Sequence, residues 1–389
     1  MFPTIRTIDD VLPAIADKPE IPIKINNVAV AGRRIPVELR VLCYRISTHT
    51  TFDTPLAREC RGIVFDAEGT LIHRPLHKFF NMGETEANRI ELFPWERVTS
   101  IAQKLDGSLV GFVPLENDRG QTVWVPKTKN SFVHPILSEL PQTPEHKSGA
   151  VVRVLNHVGR AYTPVFEYTS PTNRIVVPYK EPHMTLLAVR HNMTGAYMPE
   201  KELALLRRDT RFPEFSEVKF GRAQDVLSVA RATKGIDMEG WVLTLDDGER
   251  VKIKTQDYIL SHKLITGFSL QNTLEAWLDE KADDMVGFLR QMGDTSTADK
   301  IERIIESGEK RLRDAMRAVA KISEEWAAKE PVKEQRLKAF ASSDAKRLNP
   351  VFAALVFSTM RGVEPDYKSY ARKVVIPELV QETSRDNSR

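Results

Sequence analysis

The stretch TSIAQKLDGSLVGF, residues 99–112, sets a lysine where an apolar run gives way to turn residues. The runs on both sides of Lys104 predict strands, whereas Asp106, Gly107 and Ser108 are turn chemistry, so Lys104 falls at a strand end with its amine pointed into a cleft. An amine placed that way can act as a nucleophile, although a surface hairpin would show the same residues. Farther along, DMEGWVLTLDDGERVKIKT, residues 237–255, reads as a β-hairpin closed by an Asp-Asp-Gly turn. Alternation along its second strand puts Lys252 and Lys254 on one face and Val251 and Ile253 on the other. Two ammonium groups side by side call for an anion between them, and a phosphate would serve. Glu239 precedes Gly240, and a carboxylate next to a position without a side chain can approach a metal or a ribose closely. Ordinary cross-strand ion pairs on a surface hairpin remain the plain alternative.

These residues need strands to hold them. From Ile21 to about Phe268 the sequence is rich in short β-prone runs, among them RGIVFD, SLVGFVPL, TVWVP, TPVFEY, RIVVPY, MTLLAVR, GWVLTL and RVKIKT, broken by Gly, Asp, Asn and Pro. PEKELALLRRD and AQDVLSVARATK read as helices packed on those sheets, which makes the pattern α+β and not alternating βαβ. After about Gly267 the spacing turns helical, with Leu270, Leu274, Trp277 and Leu278, then Met285, Phe288 and Leu289, then Ile301, Ile304 and Ile305, and later Leu312, Met316 and Val319. EPVKE and RLNPVF supply proline breaks. The expected division is a strand-rich domain over 1–267, an all-helical C-terminal domain over 268–380 and a disordered tail over 381–389.

Composition narrows the class. With 389 residues and 41% hydrophobic content the chain suits a soluble globular protein of more than one domain. No apolar run approaches a membrane span and the N-terminus lacks a secretory layout, so a cytoplasmic location is expected. Cys43 and Cys60 are too few for a disulfide framework or a cysteine-based zinc site and read as reduced thiols. The net charge of +3 is no polycation, so nucleic-acid binding would need local clusters such as VPKTKNSF and ERVKIKT, which could equally be solvated faces. No GxGxxG or P-loop is present. His73 and His77 are four apart, but Pro75 lies between them and no third ligand is evident, which argues against zinc.

Lys104-Leu105-Asp106-Gly107 resembles the first motif of the covalent nucleotidyltransferases, the superfamily of ATP-dependent ligases and messenger RNA capping enzymes. Glu239-Gly240 resembles the fourth motif and VKIKT the fifth. More closely, ARECRGIVFD, HKFFNMGE, KLDGSLV, FEYTSPTNRIVVPY, MEGWVLTL and VKIKTQDY stand in the order and at the spacing of the phage RNA ligase 1 family, from about Tyr44 to Tyr258. The resemblance implies an N-terminal adenylyltransferase domain of ATP-grasp-like antiparallel sheets followed by the helical domain. It also implies chemistry in three steps. Lys104 attacks the α-phosphate of ATP to give a lysyl-adenylate, the AMP passes to an RNA 5′-phosphate, and a 3′-hydroxyl displaces AMP to seal the strand.

The residue roles can be argued from chemistry beside that resemblance. A free lysine has a pKa near ~10.4, so Lys104 needs cationic neighbours or burial to favour its neutral amine. Lys252, Lys254 and a divalent metal would supply that field, and the two lysines could hold the α-phosphate as charge builds. Asp106 and Gly107 belong to the nucleotide-binding motif. Arg61 can offer a guanidinium fork to ribose or phosphate, or pair with Glu59, and Lys78 could add a contact. The resemblance sets Glu167 on the ribose hydroxyls, Tyr44 and Tyr258 against the adenine, and Lys127 and Lys129 on triphosphate or RNA. For the two tyrosines a core position is the alternative, and for the lysines a solvated face. Phe79, Phe80 and Phe166 read as core. Magnesium, with manganese as a substitute, is implied because a metal must bridge the departing pyrophosphate, and Glu239 is its candidate ligand.

The reading is an ATP-dependent RNA ligase joining 5′-phosphate and 3′-hydroxyl ends. A cleaved transfer RNA in a phage-infected cell is its expected substrate and a monomer its expected state. A DNA ligase or capping enzyme would normally follow the fifth motif with a β-barrel domain, which the helical text disfavours. A non-catalytic RNA-binding protein would not need Lys104 and Glu239 together.

Overall fold

Runs of β-branched and aromatic residues about five to nine long become strands when each can bury one face against a neighbour. The computed structural model describes residues 2–47, 50–173, 175–215, 217–233, 237–259, 270–291 and 295–386. The chain divides into two units, Met1–Arg45 with Thr50–His262, and Ile46–His49 with Lys263–Arg389. The boundary expected between 267 and 268 lies outside the described residues.

Three four-stranded sheets carry the first unit. The first runs in chain order through β1 (Ile23–Val28), β2 (Val37–Cys43), β3 (Arg61–Phe65) and β4 (Leu71–His73). The next strands are β5 (Phe80–Asn81), β6 (Val98–Lys104), β7 (Ser108–Glu116) and β8 (Thr122–Thr128). They are followed by β9 (Tyr162–Thr169), β10 (His183–His191), β11 (Gly240–Leu245) and β12 (Arg250–Lys254). One sheet has the order β10-β9-β7-β8 and the other β5-β12-β11-β6. All pairs are antiparallel except β5 with β12, a two-residue parallel ladder that departs from the all-antiparallel expectation. The chain leaves one sheet at Lys104 and enters the next at Ser108, so Leu105-Asp106-Gly107 is the crossing between them.

Alternation sets the faces. Trp241, Leu243, Val251 and Ile253 are buried in one cluster with Ile101, which leaves Lys252 and Lys254 on the opposite face as the residue pattern predicts. On β7, Val110 and Phe112 pack with the helices Ala150–Val158 and Glu200–Asp209, while Val113 and Leu115 pack with the first sheet. Both helices read from the sequence around 200 and 225 are present, as Glu200–Asp209 and Asp225–Ala232. RIVVPY, expected to be a strand, is not one in its described residues: the backbone N–H groups of Val176 and Val177 are taken by a side-chain carboxylate, which leaves no ladder for them to join. Cys43 and Cys60 are free and buried.

A buried ion cluster ties this unit together. Glu59 does not pair with its near neighbour Arg61. Its carboxylate accepts from Arg74 at 3.1 and 2.9 Å and from Arg190 at 2.7 and 2.8 Å. Arg74 also donates to the carbonyls of Asn192, Met193 and Pro3, and Arg190 to those of Gly195 and Pro75. Burial pushes the Glu59 carboxyl up, but the two guanidiniums outweigh it and hold it down to about 2.

The second unit is helical among its described residues, with Leu270–Leu278, Ala282–Gln291, the 35-residue Thr295–Lys329, Lys333–Ser342, Pro350–Arg361 and Ile376–Asp386 as its main helices. Leu274, Trp277, Leu278, Ile305, Leu312, Met316 and Val319 form its core with residues of the last two helices, which accounts for their helical spacing. Pro331 separates two helices, and Pro350 opens another under an Asn349 cap that accepts from Val351 N and Phe352 N. The tail expected to be irregular from Gln381 is helical to Asp386, because Leu379 is buried and Arg311 holds Glu378 and Glu382. Among the described residues no helix is long and apolar enough to cross a membrane.

Candidate active site

Glu239 sits at the start of β11 with both carboxylate oxygens engaged: Oε2 accepts from Lys104 Nζ at 2.6 Å and Oε1 from Lys254 Nζ at 2.8 Å. The backbone explains the convergence, since Gly240 pairs with Lys104 on one side and with Lys254 on the other. Gly240 has φ 150°, and a Cβ there would lie 2.0 Å from the carbonyl oxygen of Ile253, so only glycine admits this strand spacing. Burial pushes the Glu239 carboxyl up, but the two ammonium groups outweigh it and hold it below the usual carboxylate range. Lys104 keeps 22% exposure against 3% for Glu239, which leaves the amine reachable from outside and its partner not.

Two further cross-strand rows continue the same face. Ala102, Val242 and Lys252 stand side by side, then Ser100, Thr244 and Arg250. Ser100, Ala102, Val242, Thr244 and Arg250 of these rows line a small pocket of about 80 Å³ together with Leu76 and Phe79. That is well below the ~300–1,000 Å³ of a whole-ligand pocket, so the space takes one part of a ligand and not a complete nucleotide. Phe79 is partly buried and packs against the cluster of Leu76, Val165 and Ala188 while also lining the pocket, with the Arg61 guanidinium and Lys252 each 5.9 Å from its ring centre. Phe166 is fully buried, as its type predicts, while Phe80 is partly buried beside Arg58 and Lys78.

Glu167, on β9, is half-buried, yet its carboxyl lies deep enough that burial, with Glu239 adding to it, pushes it up to about 7 against the pull of Lys104 and Arg61. Arg61 opens β3, and its Nε and Nη1 are buried without a hydrogen-bond partner among the described residues. Unmet donors of that kind suit an anionic or hydroxyl-rich ligand. Lys78 is buried over Phe52 and Phe80, with Glu84 at 3.9 Å.

The turn after Lys104 is clamped from within. Asp106 Oδ2 accepts from Val176 N and Val177 N at 2.8 Å, Oδ1 accepts from the Tyr258 hydroxyl at 2.8 Å, and the Asp106 N–H donates to the Tyr179 hydroxyl at 3.0 Å. Gly107 is forced by contact, because a Cβ would lie 2.3 Å from Tyr168 O. Ser108 is bonded to Asn173. Asp106 thus fixes Val176, Val177 and Tyr179, and Gly107 admits the close approach of Tyr168.

Several of the expected contact residues are buried. Tyr258 is 2% exposed, with its hydroxyl on Asp106 and Lys254 over its ring, and Tyr44 is 4% exposed, edge-on to Phe52 and capped by Lys129, whose Nζ donates to its hydroxyl at 3.0 Å. Both fall on the core side of the alternative. Lys127 is 1% exposed and donates to the carbonyls of Gly62, Thr128 and Lys129, so it neither faces solvent nor keeps a free donor for a triphosphate. Burial pulls its amine down to about 8. Arg250 and Tyr179 escaped the sequence reading because nothing in the linear text marks which strand residue faces a pocket or which hydroxyl closes a turn.

A family model described as RNA ligase matches residues 59–264, more than half of the chain. A protein of Thermovibrio ammonificans assigned as an RNA ligase is 27% identical over 328 residues, covering 81% of each chain. RNA ligase 1 of bacteriophage TS2126 is 31% identical over 277 residues, 67% of this chain and 66% of its own. Among solved structures, an archaeal ATP-dependent RNA ligase is similar at a TM-score of 0.45, with 14% identity over 77% of this chain and 78% of its own. With the matched region running from the buried cluster at Glu59 through Lys104, Glu239 and Lys254, this chain belongs to the RNA ligase family.

Proposed function

We propose that the protein is an ATP-dependent RNA ligase whose nucleophile is the Lys104 amine. The observation that carries this is the Lys104–Glu239–Lys254 cluster, set on the same strand face as Lys252 and the pocket-lining Ala102 and Val242. Lys104 Nζ, after giving up its proton, attacks the α-phosphorus of ATP; the bond to the bridging oxygen breaks, pyrophosphate leaves and a P–N bond forms. An oxygen of an RNA 5′-phosphate next displaces Lys104 from that phosphorus. Attack of a 3′-hydroxyl on the RNA phosphorus then forms the phosphodiester and releases AMP.

Each displacement gathers negative charge on phosphoryl oxygens, and Lys252 and Lys254 supply fixed positive charge on that face. Glu239 holds the Lys104 amine in place between turnovers. Glu167, once ionised, accepts from ribose hydroxyls, and Arg61 donates its unmet N–H groups to ribose or phosphate. Magnesium or manganese fits the oxygen chemistry of Glu239 with Glu167 beside it, and when bound it would neutralise the departing pyrophosphate.

The finer reading is a cleaved transfer RNA mended in a phage-infected host cell by a monomer of this chain. The phage relative supports it, together with the helical C-terminal domain as the part that selects the RNA. The adenylyltransferase domain is assigned to residues 1–267.

Incubation with α-labelled ATP and a divalent metal, followed by a denaturing gel, tests the nucleophile. Wild type is expected to carry label and Lys104→Ala none. Absence of label on wild type, after pyrophosphate treatment to strip any adenylate already present, would sink the proposal. Single-stranded RNA, nicked duplex RNA and nicked DNA offered side by side test the substrate, and preferential sealing of nicked DNA would overturn it.

A further inference from the structure

The three rows on the β6-β11-β12 face differ in chemistry in a way that the reaction steps leave unused. The first row, Lys104–Gly240–Lys254, is ionic; the second, Ala102–Val242–Lys252, is apolar on β6 and β11 and cationic only on β12; the third, Ser100–Thr244–Arg250, is polar. Rows two residues apart lie ~7 Å apart along a strand, so the third is ~13 Å from the nucleophile. That is the reach of an extended nucleoside monophosphate: phosphate over the first row with Lys252 at its side, base over Ala102 and Val242, outer edge of the base at the third row.

Arg250 stands out within the third row. Among the described residues its Nε is buried with no hydrogen-bond partner and no carboxylate forms an ion pair with it, Glu200 acting on it only from a greater distance, and its guanidinium carbon lies 4.2 Å from the centre of the Tyr197 ring. By contrast, Arg207 on the same pocket wall is paired to Glu200 at 2.6 Å. A guanidinium can only donate, whereas the hydroxyls of Ser100 and Thr244 can accept. An acceptor nitrogen beside an amino group, the pattern on adenine's edges, is complementary to that set.

We propose that Arg250 is the base-reading residue of the ligase, donating to a ring nitrogen of adenine while the Thr244 hydroxyl accepts from the 6-amino group. This rests on the ATP-dependent reading above and adds to it the residue that selects the base. Neither side chain touches a reacting atom, so their effect belongs in nucleotide affinity and not in the rate at saturation.

The test is calorimetric binding of ATP, 1-deaza-ATP and 7-deaza-ATP to Lys104→Ala protein, where no covalent step intervenes, with and without Arg250→Ala. ATP affinity is expected to fall ~10-fold or more with Arg250→Ala. One deaza analogue should bind the Arg250-containing protein more weakly by a similar factor, and that penalty should vanish in Arg250→Ala. Thr244→Val should weaken ATP and spare purine riboside triphosphate, which lacks the amino group. Equal deaza penalties with and without Arg250, or an unchanged ATP affinity, would overturn the proposal. Arg250→Gln, which keeps a donor and the stem, guards against a folding defect: it should unfold at the wild-type temperature and retain intermediate affinity. Failure of wild type to take label from ATP would instead count against the ligase reading, since binding is measured here without it.

Discussion

Two buried carboxylates in the first unit are each bracketed by two cations, and they do opposite work. Glu59 lies between Arg74 and Arg190, all three closed to solvent, with carbonyls accepting from further N–H groups of both guanidiniums. Glu239 lies between Lys104 and Lys254, with one ammonium reachable from outside. Arginine does not give up its proton and fixes geometry through a planar fork; lysine is a single movable amine that can lose a proton and become a nucleophile. The same charge pattern is therefore a fastening in one place and a reaction site in the other, and the identity of the cation decides which.

The sharpest way to break the comparison is to neutralise each carboxylate. Glu239→Gln is expected to lower lysyl-adenylate formation ~10²–10³-fold, read from initial rates of labelling, with the fold retained. Glu59→Gln should leave two buried guanidiniums uncompensated and cost ~3–5 kcal/mol in denaturant unfolding, with labelling per folded molecule unchanged. If the two substitutions behave alike, the division of labour is wrong.

Acid separates them further. The Glu59 carboxyl is held down to about 2 from an ordinary 4.5, so its contribution is present above 4.5 and is lost as pH falls from there toward 2. Unfolding midpoints measured across that window should drop for wild type and run flatter for Glu59→Gln. The smallest effect concerns Glu167, whose carboxyl is pushed up to about 7. Its ionisation opposes folding as pH rises from 4.5 through 7, so Glu167→Gln should gain a few degrees in Tm over wild type at pH 8 and nothing at pH 4. Wild-type labelling should meanwhile rise through pH 7 as the carboxylate forms, a rise that Glu167→Gln lacks.

Short-range chemistry made much of this legible in advance. A strand that ends at Lys104, a turn at Asp106-Gly107-Ser108 and the alternation of Lys252 and Lys254 with Val251 and Ile253 all follow from neighbours in the chain. What escaped depends on partners far apart. Glu59 meets Arg190 across 131 positions, so local spacing offers only Arg61, two residues on, as an alternative mate. The apolar run Ile175–Tyr179 has the composition of a strand, but a carboxylate seventy residues earlier claims its N–H groups. Lys127 and Lys129 alternate like a solvated face, yet Lys127 is drawn inside by three carbonyls. Burial and closure of that kind are properties of the assembled sheet and leave no mark on local spacing.

The glycine at 240 has a consequence for heredity. It contributes no reacting atom, yet it is the spacer that sets how near two strands, and with them two lysines, come to one carboxylate. A single added methyl group would push the strand pair apart and move both amines off Glu239 at once. Selection on the chemistry therefore acts on a position with no functional group, and in a saturation library scored for RNA sealing Gly240 would tolerate as few replacements as Lys104.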